Sequence, residues 1–330
     1  MSEAIDTLFI CGNFFGYAYE IQRQLVKRGC HVAYFDDRPA TDNKTKTLIR
    51  VAPRLVRARA DAYFDGIIAQ LKDQPIKDVL VIKAEALSPA AIGRMRAAFP
   101  GARFTLYFWD SYRNMPADSR EKAASFDRVL SFDPCDAAAD PKMIYRPLFF
   151  LEEYSKLPDG PTDIDVLFFG TVHGDRYAVL KRIERALPKT LQFEKILYLP
   201  ARWLYAVRSL QDPALLLADR REFIFKPKGK DEITALIARS RIVVDIERPV
   251  QNGYTMRTLE VLGARRKLIT TNPEVANADF FRPSNIAIVD RKRPRISAEF
   301  INTVYTPPLP EIVQRYSLGG WLEDVMPSTY

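Results

Sequence analysis

The sequence predicts an α/β chain folded as two doubly wound domains, each a mostly parallel sheet with helices on both faces. Short apolar runs alternate with amphipathic helical stretches along the whole chain, and the alternation restarts after a polar segment containing two prolines. The length of 330 residues agrees with two domains, because single hydrophobic cores stop growing near about 250–300 residues.

The elements of the first half follow from these patterns. A helix at 17–29 ends at Gly29, a helical stretch lies within 43–72, and a helix at 88–101 begins with Ser88 as N-cap and Pro89 at its first position. Five apolar runs without strict alternation, typical of strands buried on both faces, lie at 7–12, 31–37, 78–83, 103–110 and 128–133.

The second half repeats this order. Helices are predicted at 176–187 and 230–240, with a mostly helical stretch at 201–220 and a short helix that opens at Thr255. Strands are predicted at 165–170, 193–199, 241–246, 267–271 and 285–290.

A polar stretch at 151–163, with Pro158, Gly160 and Pro161, predicts a linker between the halves. We expect an N-terminal domain over 1–150 and a C-terminal domain over 164–330, with a C-terminal tail that could pack back on the N-terminal domain.

The net charge of +8 and pI near 9.3 indicate an anionic partner or a solvated basic surface. An anionic membrane surface and a phosphorylated ligand fit better than nucleic acid, because no RNP, zinc-finger or helix-turn-helix pattern occurs. The basic segment 44–60 places apolar residues near helical spacing, as in a helix that lies on lipid.

The chain is expected to be cytoplasmic, with peripheral attachment to the inner face of the cytoplasmic membrane. It has no apolar run near the roughly 18–20 residues that span a bilayer, and the start "MSEAID" lacks a signal-peptide pattern. The three cysteines have no CxxC spacing and are expected to be small buried hydrophobes.

Chemistry-bearing side chains follow the predicted strands of the first half. Ligands of open α/β sheets bind beyond the carboxyl ends of the strands, so these positions are candidates. Asp110 and Glu85 compete for the role of general base toward an acceptor hydroxyl, and Lys83 is the cation that could neutralise Glu85. The residues predicted to contact the acceptor are Asn13, Phe14, Phe15 and Lys83.

In the second half, the stretch 251–272, "QNGYTMRTLEVLGARRKLITTN", predicts an anion cradle. Gly253 allows a tight turn, Thr255 caps a helix whose free N–H groups face an anion, and Arg257 adds a bidentate donor. One turn later, Glu260 can accept hydrogen bonds from vicinal hydroxyls such as those of a ribose. An ordinary exposed ion pair between Arg257 and Glu260 is the alternative.

The loop after the strand 165–170 is the other candidate on this side. His173, flanked by glycine, could bind phosphate or act as an acid or base, and Asp245 could face the ligand or brace Arg257. The predicted donor-binding residues are Gly170, Thr171, Arg176, Asp245, Gln251, Gly253, Thr255, Arg257 and Glu260.

Several of these stretches together resemble bacterial glycosyltransferases of capsular-polysaccharide and lipopolysaccharide biosynthesis, which have the GT-B architecture. The resemblance keeps its order over nearly the whole chain and departs after Gly263, where Ala-Arg-Arg follows in place of an early proline. The stretches include "YFWDS", "VLSFD", "FFGTVHGDRY", "DIERPVQNGYTMRTLEVLGARRKLITTN" and "YSLGGWL".

The resemblance implies two Rossmann-like domains that face a central cleft, with the nucleotide-sugar held by the second and a saccharide or lipid-linked acceptor by the first. It implies that Glu260 takes the ribose, while Thr255, Arg257 and the 170–176 loop meet the diphosphate or base. The expected activity is sugar transfer to a growing surface polysaccharide or lipid-linked acceptor, with Asp110, Glu85 or His173 as the catalytic group.

No cofactor or metal is expected, because arginine and a helix dipole supply the positive charge. The triplet Asp163-Ile164-Asp165 matches a DxD metal motif but precedes its strand, at the wrong end of the sheet.

Two other functions stay open. A nicotinamide-dependent oxidoreductase is suggested by Gly12, Gly16 and Asp36, although the middle glycine of the dinucleotide fingerprint is absent. A non-catalytic binding protein for anionic polymer or lipid is suggested by the charge alone.

Overall fold

The computed structural model describes residues 4–14, 16–39, 53–158, 160–211, 213–249 and 252–327. The chain divides into two compact units: unit 1 comprises Met1–Leu148 and Leu318–Tyr330, and unit 2 comprises Phe149–Ser317.

In unit 1, a parallel sheet of six strands is interleaved with helices. The strands are β1 (Thr7–Cys11), β2 (Val32–Phe35), β3 (Asp78–Ile82), β4 (Arg103–Phe108), β5 (Arg128–Ser131) and β6 (Met143–Tyr145). The helices are α1 (Tyr17–Lys27), α2 (Pro53–Leu71), α3 (Pro89–Ala98), α4 (Ser119–Ala123) and α5 (Pro134–Ala139).

Unit 2 has the same alternation and its own six-stranded parallel sheet. Its strands are β7 (Ile164–Thr171), β8 (Phe193–Tyr198), β9 (Phe223–Ile224), β10 (Ser240–Asp245), β11 (Lys267–Thr270) and β12 (Ile286–Ile288). Its helices are α6 (Glu152–Ser155), α7 (Arg176–Ala186), α8 (Trp203–Gln211), α9 (Lys230–Arg239), α10 (Met256–Gly263), α11 (Ala298–Asn302) and α12 (Pro310–Arg315); the last helix of the chain, α13 (Leu318–Val325), belongs to unit 1.

The strand order locates the functional edge of each sheet. Unit 1 has the order β2-β1-β3-β4-β5-β6, and unit 2 has the order β12-β11-β10-β7-β8-β9. The direction of winding reverses between β1 and β3 in unit 1 and between β7 and β10 in unit 2. Crevices for ligands form at such reversal points, beyond the carboxyl ends of the two strands.

Burial explains why the strand predictions succeeded. Every residue of β1 and of β11 is buried, as expected for parallel strands covered by helices on both faces. All ten predicted strands are confirmed within two residues at each end. The two strands that were not predicted, β6 and β9, have only three and two residues and lie at sheet edges, too short to produce a pattern.

The helix predictions are confirmed more unevenly. The Ser88 side chain accepts the N–H of Ala91 with Pro89 in the first turn, as predicted. Residues 43–52 of the helical stretch predicted within 43–72, and most of the basic segment 44–60, lie outside the described residues. The stretch 201–220 is helical only to Gln211, after which 3-10 turns follow.

The units divide the chain differently from the sequence prediction. The segment 151–163 lies within unit 2, where it forms α6 and buries Tyr154. At the other end, α13 is grouped with unit 1, where buried Trp321 makes an edge contact with Tyr107 at 4.8 Å between ring centroids. No helix among the described residues is long and apolar enough to cross a bilayer.

Candidate functional site

The crevice of unit 2 begins where β7 and β10 end side by side. The loop after β7 turns at Gly174, whose φ of +55° suits glycine, and leads directly into α7. Arg176, the first residue of α7, donates hydrogen bonds to the carbonyls of Thr171 (2.9 Å) and Ile246 (2.6 Å). The guanidinium therefore joins the ends of the two strands, and it lies beside Gly170, where a Cβ would be 3.4 Å from Arg176 Nη1.

A cavity of about 390 Å³ opens at this point. Three arginines from different elements line it: Arg176 from α7, Arg208 from α8 and Arg248 from the segment after β10. The remaining lining residues are Thr171, His173 and Gly174, so the lining contributed by described residues contains no carboxylate. Such a donor set matches an anion with several oxygens, such as a diphosphate. We call it the arginine crevice.

The electrostatics of the arginine crevice indicate that positive charge is in excess there. The pKa of Arg176 is lowered to about 10, chiefly by burial and also by Arg257, Arg248 and Arg291, against the opposing effect of Asp245. Burial and the three cavity arginines lower the pKa of His173 to about 4. At neutral pH the imidazole of His173 is therefore uncharged. An incoming anion would reduce the repulsion among the arginines.

The N-terminus of α10 is built as predicted. Thr255 is the N-cap, and its Oγ1 accepts the N–H of Thr258 at 3.1 Å. Asp245 accepts hydrogen bonds from the hydroxyls of both threonines. The carboxylate of Asp245 thus fixes the start of the helix against β10 and does not brace Arg257.

Arg257 and Glu260 form an ion pair of 3.0 Å between Nη1 and Oε2, one turn apart on α10. The alternative of an ordinary exposed ion pair is correct about the pairing and wrong about the exposure, because the Glu260 side chain is only 6% exposed. Arg257 stacks over the Phe169 ring of β7. The side chain of Tyr154 in α6 is hydrogen-bonded to the carboxylate of Glu260. Burial and Glu260 raise the pKa of Tyr154. Glu260 is a preorganised acceptor whose orientation is fixed from two sides.

Gly263 allows close packing between α10 and Phe150. It is the last residue of α10, and a Cβ there would lie 2.6 Å from the Phe150 ring. The left-handed residue after the helix is Arg265, with φ of +53°. Glycine is therefore needed for close packing at 263, and the left-handed backbone conformation is adopted by Arg265 instead.

A second network, not predicted from the sequence, supports the crevice. Arg291 bridges Asp175 at the start of α7 (2.6 Å) and buried Glu247 after β10 (2.9 Å), and Thr271 also donates to Glu247. Burial raises the pKa of Glu247. This network fixes the loops that carry His173 and Arg248. Its only sequence signal was position, since Glu247 and Arg248 follow a strand.

In unit 1, the side chains beyond β3 and β4 form a compact charged cluster. Lys83 Nζ lies 2.5 Å from Asp110 Oδ2 and 3.2 Å from Glu85 Oε1. Burial lowers the pKa of Lys83, but the two carboxylates outweigh it and raise the pKa overall. The Asp110 side chain is 41% exposed and that of Glu85 is 7% exposed, so Asp110 is the carboxylate that a ligand in solution can reach.

The turn that carries this cluster is strained. Lys83 and Ala84 both have positive φ, 76° and 54°, a combination that side chains with a Cβ rarely adopt. Buried Asp37 accepts the N–H of Glu85 at 2.6 Å, and buried Lys122 donates to the carbonyl of Ala84 at 2.9 Å. Burial and Glu85 raise the pKa of Asp37 to about 7. Two buried charged groups that the sequence did not single out therefore hold the turn.

The segment after β1 adds aromatic rings to this edge. Phe14 lies 4.9 Å from Trp109 between ring centroids, and Lys83 Nζ lies 5.5 Å from the Phe14 ring. The backbone N–H of Asn13 donates to Asp36. A Cβ at Gly12 would lie 2.6 Å from Arg38 Nη2, so the Arg38 side chain packs directly against Gly12.

Most of the predicted site residues thus form two groups, one in each unit. Gly253 is buried and its carbonyl accepts a hydrogen bond from Asn272, without a left-handed backbone. Gln251 and Phe15 lie outside the described residues. The DxD carboxylates are engaged elsewhere, Asp163 with Arg239 and Asp165 with Arg241, at the opposite end of β7 from Thr171. The sequence prediction missed Arg208, Arg248 and Tyr154.

Known proteins were compared with the chain in three ways. No family model matches the sequence, and no curated protein is significantly similar to it. Several solved structures share its fold.

A glycosyltransferase from Rickettsia africae ESF-5 superimposes with a TM-score of 0.63 at 12% identity, covering 99% of this chain and 100% of that one. The Anabaena Alr3699/HepE protein in complex with UDP-glucose gives a TM-score of 0.61 at 12% identity, covering 97% and 98%. The UDP-forming α,α-trehalose-phosphate synthase of Burkholderia xenovorans gives 0.58 at 10% identity, covering 97% of each chain. The chain therefore has the two-domain, Rossmann-like α/β fold of GT-B glycosyltransferases.

Proposed function

We propose that the protein is a glycosyltransferase that moves a sugar from a nucleotide-sugar to a growing surface polysaccharide or lipid-linked acceptor. The arginine crevice carries this proposal, because it gathers three guanidinium groups at the reversal point of a sheet whose fold is shared with a UDP-glucose complex. Unit 2 binds the donor, and unit 1 binds the acceptor.

In the proposed mechanism, the arginines and the N-terminus of α10 stabilise the diphosphate as it leaves the sugar. Glu260, held by Arg257 and Tyr154, accepts the ribose hydroxyls. Asp110 removes the proton from the acceptor hydroxyl, and Lys83 orients its carboxylate. His173, uncharged before binding, donates or accepts one hydrogen bond at the phosphates.

The experiment that tests the donor assignment is a thermal-shift panel of UDP, GDP, CMP and dTDP sugars. A ligand that binds only the folded state raises the melting temperature. At least one nucleotide-sugar is expected to do so and to release its nucleotide when a saccharide acceptor is added. A panel without any shift would contradict the proposal, and binding without turnover would favour a binding protein.

We also propose that transfer needs no metal, since fixed cations offset the charge of the leaving group. Transfer is expected to persist in EDTA at its original rate. A rate that collapses in chelator and returns with Mg²⁺ or Mn²⁺ would contradict this. The oxidoreductase alternative has less support because the middle glycine of the dinucleotide fingerprint is absent after β1.

A further inference from the structure

Helix α8 of unit 2 has an apolar side that faces outward. Trp203, Val207 and Leu210 recur at helical spacing on one side and are 67%, 42% and 86% exposed. The opposite side faces the protein: Tyr205 makes an edge contact with Phe223, and Ser209 is buried. A helix of a soluble domain normally buries its apolar stripe, so this outward stripe indicates a partner.

The segment after α8 enlarges this apolar surface. Leu216 and Leu217 are 69% and 94% exposed, while Leu215 is fully buried. The Tyr205 hydroxyl donates to the carbonyls of Leu215 and Ala218, which fixes the segment against α8. Trp203, Val207, Leu210, Leu216 and Leu217 are here called the apolar face.

Basic side chains lie near the apolar face. Arg202 and Arg220 are exposed and lie over the rings of Phe225 and Tyr205, at 5.4 and 5.2 Å from the centroids, so aromatic contacts hold both side chains near α8. The nearby carboxylate of Glu222 is engaged by the Tyr177 hydroxyl and by lysines. Exposed Arg221 adds a third cation and exposed Asp219 one carboxylate, so positive charge prevails among the described residues here.

We propose that the apolar face is a docking surface for an anionic lipid bilayer. Exposed tryptophan and leucine with arginines at the border are the composition of helices that lie in the headgroup region. A second copy of this chain fits less well, because an isologous contact would bring the same arginines together.

This inference deepens the proposed function by naming the surface that would hold the enzyme at a lipid-linked acceptor. The same helix carries Arg208 into the arginine crevice. A docked α8 would therefore place the crevice within about one helix diameter, roughly 10 Å, of the headgroups.

The test is co-sedimentation of the full chain with phosphatidylcholine vesicles, with and without phosphatidylglycerol. We expect binding that requires phosphatidylglycerol and weakens with salt. Tryptophan emission should shift to the blue on binding, because Trp203 is exposed whereas Trp109 and Trp321 are buried.

The double variant Leu210→Glu/Leu217→Glu is expected to bind these vesicles at least about tenfold more weakly. The matched control is Val304→Glu/Leu309→Glu, which alters two exposed apolar residues elsewhere in unit 2, 81% and 53% exposed, and should bind as the wild type does. Melting curves with and without UDP-glucose measure donor binding separately, so a failure of donor binding can be told apart from a failure of vesicle binding.

Absence of binding to anionic vesicles, or an equal loss in both double variants, would overturn the inference. So would a wild-type dimer that the face variant alone converts to a monomer, since the face would then contact a second copy. If nucleotide-sugars fail to shift the melting temperature while vesicle binding behaves as expected, the donor assignment fails and the docking surface stands.

Discussion

At the reversal point of unit 1, two carboxylates surround one lysine, and an aromatic pair lies beside them. At the reversal point of unit 2, three arginines line a cavity to which the described part of the chain contributes no carboxylate. The two edges arise from the same parallel-sheet topology and carry opposite chemistry. The difference teaches that the fold determines where a ligand binds, whereas the charges at the strand ends determine which ligand it is.

The largest effect expected from this comparison concerns turnover. Asp110→Asn should lower kcat by about 10²–10⁴, because it removes the proposed base, while leaving nucleotide affinity in unit 2 unchanged. Nucleotide release from the donor in the presence of an acceptor, beside calorimetric nucleotide binding, measures both quantities.

Glu85→Gln is the matched comparison, since it alters the buried carboxylate on the same lysine. It is expected to lower the melting temperature while kcat stays within a few fold. If Glu85→Gln abolishes turnover and Asp110→Asn does not, the roles of the two carboxylates are reversed.

The next effect concerns the ribose. Glu260→Gln should weaken UDP binding about ten- to a hundredfold, since charge-assisted hydrogen bonds are worth roughly 1.5–3 kcal/mol. The burial of Glu260 and its pairing with Arg257 imply that the variant also loses about 1–3 kcal/mol of stability.

Titration with 2′-deoxy-UDP separates these two contributions. Wild-type protein should prefer UDP to the deoxy nucleotide, and the variant should lose this preference. An undiminished preference in Glu260→Gln would show that Glu260 does not contact the ribose.

The smallest effect is a pH dependence in unit 1. The pKa of Asp37 is raised to about 7, so the folded chain retains a proton that the unfolded chain releases near pH 4. This stabilisation is complete below about pH 4 and is lost as the pH rises through 7. The part of it lost between about pH 5 and 8 is on the order of 1–3 kcal/mol.

Melting curves between about pH 5 and 8 test this. Asp37→Asn should lose the part of the pH dependence that Asp37 causes, whereas a change at the exposed Asp73 should leave it intact. Parallel pH profiles for wild type and Asp37→Asn would contradict the assignment.

The sequence predicted those features that depend on neighbouring residues. The apolar runs gave the strands, and Thr255 gave the cap of α10, because both effects act within a few positions. The pairing of Arg257 with Glu260 was foreseen for the same reason, but its burial was not.

Features assembled by tertiary packing were missed. Arg208 lies in a helix with no anion-binding pattern, and it lines the cavity only because α8 lies beside the end of β7. Tyr154 was assigned to a linker, since proline and glycine nearby outweighed the signal of a four-residue helix. Asp37 and Lys122 meet the turn at 83–85 from distant elements, which no spacing rule reveals.

The central claim is that the arginine crevice binds the diphosphate of the donor. Its most direct test is calorimetric titration of the nucleoside diphosphate that gives the largest thermal shift into Arg208→Ala, Arg248→Ala and Arg239→Ala. Arg239 is the control, because it pairs with Asp163 at the opposite end of β7 and its loss changes the net charge equally. The first two variants are expected to bind about ten- to a hundredfold more weakly and Arg239→Ala as tightly as wild type. Unchanged affinity in Arg208→Ala and Arg248→Ala, or the same loss in all three, would contradict the account.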